Sequence, residues 1–167
     1  MSDCLTIQRS LRAMWTSRTV AGSIALAVMV FAGAVAAQSG PSQTIGQRQE
    51  AMKGLGGAMK TLTPMVRGEQ PWNQAEAVKA ATAINSVAKV IPQVFPAGSG
   101  PESGVKTAAL PIIWQQSADY QSKAKALEEA SGRLLQLAQS GNSDGAKGQF
   151  ANVGKACGGC HETYRAK

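Results

Sequence analysis

Histidine is all but missing from this 167-residue chain, which has one, His161. Any centre that needs two histidines is therefore excluded by inventory. Aromatic residues are also few, at 5%, so a core must be built mainly from Ala, Val, Ile, Leu and Met, the vocabulary of packed helices more than of a β-sandwich. No stretch alternates at period 2, and strands are not expected. No Lys or Arg follows another anywhere, so the formal net charge of +7 forms no basic run, and a nucleic-acid reading lacks support. Gly and Pro show no G-X-Y period, and 44% hydrophobic residues argue against disorder. One domain is the expectation at this length.

Long apolar runs are confined to the N-terminus. Arg9, Arg12 and Arg18 precede an apolar run from Ala21 to Ala37 that ends in small residues, the anatomy of a secretory signal peptide over residues 1–37. Cleavage after Ala37 places Val35 and Ala37 at the recognition positions; cleavage one residue earlier places Ala34 and Ala36 there. The competing reading, a retained membrane anchor, lacks a basic stop-transfer flank after Ala-Ala-Gln. The part left after cleavage, 38–167, keeps 14 Lys and Arg against 9 Asp and Glu, a net +5. Its two cysteines, Cys157 and Cys160, would then sit in an oxidising compartment.

From Ile45 onward the apolar period is 3.6. Ile45, Arg48, Met52, Leu55, Met59 and Leu62 predict one face of a helix that ends before Pro64. A second helix opens at Pro71 and ends at Pro92, with Trp72 as an N-terminal staple and Ala77, Ala81, Ile84, Ala88 and Ile91 on its stripe. Residues 93–108, rich in Gly and Pro, read as a long surface loop. A third helix is expected from Leu110 to Gln139, with Trp114 packing near its start and Tyr120, Ala124, Leu127, Leu134 and Ala138 facing inward. Residues 141–144 read as a turn and N-cap for a last helix with the stripe Ala146, Phe150, Val153, Cys157, Cys160 or His161, and Tyr164. The fold class is thus all-α, an antiparallel up-down four-helix bundle. Its many inward Ala and Gly residues fill little volume, which leaves room for something large in the core.

Cys157-Gly158-Gly159-Cys160-His161 is a C-x-x-C-H sequence, the attachment signature of c-type haem. On a helix these residues stand at i, i+3 and i+4, so two thiols add to the two vinyl groups of one porphyrin while the next imidazole reaches its iron. Gly158 and Gly159 let the macrocycle lie against the backbone. Three plainer readings fit less well. A C-x-x-C disulfide closes a tiny loop and stabilises little. A thioredoxin-like pair belongs at a helix N-terminus after a strand. A structural zinc needs four ligands, where 38–167 offers two Cys and one His.

The C-x-x-C-H motif with Arg165 one turn beyond it, the Arg48-x-x-x-Met52 pair on the first helix, and the loop segments IPQVFP and ALPIIW together resemble the class II c-type cytochromes, the cytochrome c prime family, over residues 42–167. The resemblance implies one covalent haem c inside the bundle, between the first and last helices. It implies thioethers at Cys157 and Cys160, His161 as proximal iron ligand, Arg165 beside the proximal pocket and Arg48 near the propionates. Met52 matches the family position facing the distal side; its loop segments look like the low-spin branch, which makes Met52 the sixth ligand. The expected function is then one-electron transfer in a bacterial periplasm, without catalysis, to acidic redox partners drawn by the net positive charge. The alternative is a five-coordinate, high-spin haem that binds NO or CO, with Met52 as packing. Monomer and homodimer are both compatible with the resemblance. A peroxidase finds little support, because no His, Asp or Glu is visible near Met52 to move a proton.

Overall fold

The computed structural model describes residues 40–167; the expected signal peptide lies outside the described residues. Helix α1 spans Pro41–Arg67, with proline in its first turn, where its missing N–H costs nothing. The helix does not stop before Pro64. It continues one turn, because Leu62 and Met65 are 1% and 2% exposed and the Met65 sulfur accepts a hydrogen bond from Asn73 N at 3.4 Å. Burying such side chains contributes about 1.5–3 kcal/mol each, enough to offset the roughly 3 kcal/mol that an interior proline costs. Gly68, at φ 75°, ends the helix, and Glu69 N reaches back to Pro64 O at 2.9 Å, a closure that requires the left-handed backbone.

Helix α2, Gln74–Val90, opens three residues later than Pro71, since Asn73 caps it by accepting from Glu76 N at 3.1 Å. It runs into a 3-10 turn, Ile91–Gln93, where Pro92 blocks further helix. The segment 93–108 is less superficial than its composition suggests. Ser99 is 2% exposed, and Gly100 lies so close under Trp114 that a Cβ there would meet the indole at 2.8 Å.

The expected third helix is two helices. A single turn, α3 (Ile112–Gln115), is separated from α4 (Ser117–Gln139) by Gln116 at φ −118°, ψ 47°. The anchors on the two sides explain the break: Trp114 Nε1 donates to Phe95 O and Pro96 O, both at 3.1 Å, and Tyr120 Oη to Ile91 O at 3.2 Å. Local periodicity cannot see either contact. Helix α5, Ser143–Tyr164, starts at Asn142, whose side chain accepts from Gly145 N at 2.8 Å.

Helix α1 packs on α2, α2 on α4, and α4 on α5, which makes an antiparallel four-helix bundle with α3 as an appendage. The α2 and α4 contact is close because Ala77, Ala80, Ala81 and Ala88 on one helix and Ala124 and Ala138 on the other are buried. Within it Asn85 Nδ2 donates to Ser131 Oγ at 3.0 Å, and Ser131 Oγ donates onward to Glu128 O at 3.0 Å, so this buried polar pair is satisfied. Helices α1 and α5 form no comparable seam. A cavity stands between them.

Candidate haem-binding site

The cavity measures about 570 Å³, within the size range of cofactor pockets. One wall is α1, with Arg48, Met52, Leu55 and Met59; the opposite wall is α5, with Cys157, Cys160, His161, Tyr164 and Arg165. Helix α4 closes the back with Tyr120, Lys123, Ala124 and Leu127, and the segments after α2 add Ile91, Phe95 and residues 107–109. All six residues singled out in the sequence therefore line one cavity. Trp114 does not. It packs behind Phe95, with ring centroids 6.4 Å apart.

Cys157 and Cys160 are free and half-buried. Burial pushes both thiols up from their ordinary pKa, which keeps them protonated while nothing is bound. His161 is pushed down, first by desolvation and then by the Arg165 charge. Its imidazole is thus biased to the neutral form that can ligate a metal.

Arg48 is the least expected member of the site. It is 3% exposed yet has no carboxylate within 4 Å among the described residues, and burial lowers its pKa. Its guanidinium donates to Ser99 Oγ at 3.2 Å, Ser99 O at 3.0 Å and Thr107 Oγ1 at 2.8 Å, and it lies 4.3 Å from the Phe95 ring centroid. These contacts hold the loop against α1 and use three of its five N–H groups. Its other N–H groups have no partner among the described residues, and Arg48 lines the cavity. Sequence reasoning put Arg48 in the pocket and missed this strap, because its partners lie more than fifty residues away.

Tyr120, Tyr164 and Phe95 were not among the expected site residues. Phe95 meets Tyr120 at 5.1 Å and Tyr120 meets Tyr164 at 5.5 Å, both edge to face. The signal available in the sequence was the tyrosine on the same stripe as His161, three residues on. Two thiols and an imidazole on one helical face, an apolar facing wall with a thioether sulfur, and a buried cation with no carboxylate within 4 Å among the described residues form a donor set that suits a covalently attached porphyrin.

Fold and site together define a four-helix-bundle c-type cytochrome. Residues 43–165 match the family model described as Cytochrome C', and the chain belongs to that family, whose cofactor is covalently attached haem c. It is similar to cytochrome c-556 of Agrobacterium tumefaciens (strain II Chrys), at 39% identity over 72% of this chain and 95% of the relative. It is also similar to cytochrome c' of Pararhodospirillum photometricum, at 34% identity over 75% and 98%. Among solved structures, cytochrome c prime from Shewanella frigidimarina matches with TM-score 0.71 and 31% identity, covering 78% of this chain and 99% of that one. A nitric oxide complex of a variant cytochrome c prime from Alcaligenes xylosoxidans matches with TM-score 0.71 and 25% identity over 78% and 98%. Among the described residues no helix is long and apolar enough to cross a membrane.

Proposed function

We propose that this cytochrome is a one-electron carrier exported to the periplasm after loss of residues 1–37, with His161 and Met52 as the two axial iron ligands. The observation that carries the reading is that Met52 on α1 and His161 on α5 line the same cavity from facing walls. When bound, haem c supplies an iron that cycles between Fe(III) and Fe(II). Cys157 and Cys160 hold the macrocycle through thioethers, and the apolar walls around Leu55, Met59 and Leu127 exclude water. A thioether at the sixth position favours the ferrous state. The free N–H groups of Arg48 are available to a propionate, where the cation disfavours the ferric charge. Arg165 stands at the mouth beside His161. Acidic redox partners suit the net charge of 38–167.

A second reading has two observations in its favour. The cavity that Met52 lines is largely apolar, and a variant of the solved relative from Alcaligenes xylosoxidans holds nitric oxide. In that reading Met52 packs without ligating, the iron is five-coordinate, and the cavity receives NO or CO.

Visible and near-infrared spectra of the ferric and ferrous protein separate the two. Met52 ligation gives a low-spin ferric haem with a weak methionine-to-iron charge-transfer band and little CO binding, and Met52→Ala turns it high-spin and CO-reactive. A wild type already high-spin and quick to bind CO refutes the electron-carrier assignment of Met52 and establishes the gas-binding one.

A further inference from the structure

Histidines that ligate a metal usually give their second ring N–H to a carbonyl or carboxylate, which fixes the plane of the ring. His161 is exposed at the cavity, and among the described residues no protein group hydrogen-bonds its ring. Within the protein, what places the ring is the backbone that carries it, the last turn of α5. That turn is held chiefly through Tyr164, three residues on and on the same face.

Tyr164 Oη donates to Asp119 Oδ2 at 2.6 Å, a short bond to an ionised acceptor of the stronger class. Asp119 lies in the first turn of α4, and Lys123 Nζ stands 4.0 Å from the same oxygen. Tyr164 O accepts from Leu110 N at 3.0 Å, and Ala166 N donates to Ala108 O at 2.8 Å, so the chain beyond His161 is clasped to the cavity's rim as well. The Tyr164 ring rests edge-on against buried Tyr120 at 89°. The two tyrosines differ in what they tie. Tyr120 bonds a main-chain carbonyl next to its own packing block, whereas Tyr164 alone links the end of α5 to a carboxylate on α4.

We propose that Asp119 and Tyr164 form a positioning pair that locks the terminal turn of α5 and so sets the orientation of the His161 imidazole toward the haem. The proposal rests on His161 being the proximal ligand. It assigns no chemistry to Tyr164 itself.

The test uses the ferric holoprotein. Proton NMR of the haem methyl groups reports the plane of the axial imidazole, and redox titration gives the midpoint potential. Tyr164→Phe keeps the ring and its packing but removes the hydroxyl; Asp119→Ala removes the acceptor; Asp119→Asn keeps an acceptor oxygen in place. The expected result is a reordered methyl pattern and a shifted potential in Tyr164→Phe and Asp119→Ala, with Asp119→Asn close to wild type. Loss of thermal stability in Tyr164→Phe with an unchanged methyl pattern and potential overturns the proposal, because the bond then only holds the fold. Wild-type spectra that lack a nitrogen ligand overturn the assignment of His161 instead, a separate outcome visible before any variant is made.

Discussion

Between α2 and α4, small residues bring two backbones together: Ala81 and Ala88 are fully buried and pack into the core. On the α1 side of the cavity a small residue does the reverse. A Cβ placed on Gly56, which lines the cavity, would meet nothing within 4 Å. The same side-chain size thus means contact on one side of the bundle and vacancy on the other. What differs is whether a helix or a cofactor is the partner. Polar groups follow the same division, since Asn85 and Ser131 satisfy each other inside the packed seam, while Arg48 keeps N–H groups free on the hollow side.

The largest test of this contrast is to remove what the hollow side is shaped for. In Cys157→Ala with Cys160→Ala the haem is not attached. At about 24 cal/mol per Å³, an empty space of about 570 Å³ corresponds to an upper bound on the order of 10 kcal/mol, similar to the whole stability of a domain. The variant should lose cooperative thermal melting by circular dichroism and show no haem stain after denaturing electrophoresis. Melting like the wild type would mean that the α1 and α5 sides close on each other unaided.

On the packed side, Ser131→Ala leaves the Asn85 amide with only Glu128 O at 3.4 Å. Denaturant titration should show a loss of about 1–3 kcal/mol, recovered in part by replacing Asn85 with Leu as well. No loss would mean that water replaces the hydroxyl and the seam is looser than its geometry.

A pH dependence probes the rim of the cavity. The hydrogen bond to Asp119, followed by burial, pushes the Tyr164 phenol up to about 12, against an ordinary value of about 10. Between those values the unfolded chain has released the proton and the folded chain has kept it, so this contribution is complete below pH 10 and is lost as pH rises to 12. Over that window the melting temperature of Tyr164→Phe should fall less steeply than that of the wild type. Parallel curves would show that the phenol is not held protonated by folding.

The smallest effect compares two glycines. Gly57 and Gly158 both sit inside helices with open space where a Cβ would go, and alanine in a helix is favoured by about 0.5–1 kcal/mol. Gly57→Ala should raise the melting temperature of the holoprotein, whereas Gly158→Ala should not if the macrocycle lies against it. Equal gains would place the haem away from Gly158.

The sequence by itself determined the helical class, the four long amphipathic stripes and the C-x-x-C-H motif, because each is a local pattern with a fixed spacing. The cap within 141–144, Asn142, belongs to the same class, and so does the inward stripe Ala146, Val153 and Tyr164; the cap at Asn73 was missed in favour of Pro71. Tertiary structure alone decided the rest. Pro64 stays inside α1 because buried Leu62 and Met65 outweigh its cost, and Gln116 breaks the expected third helix because Trp114 and Tyr120 are anchored in different places. The loop 93–108 is pulled inward by Arg48, a contact across fifty residues of chain. Asp119 reaches Tyr164 over a similar separation. Such contacts bring together groups far apart in the chain, and their energies act only after the helices have docked, so no local pattern records them.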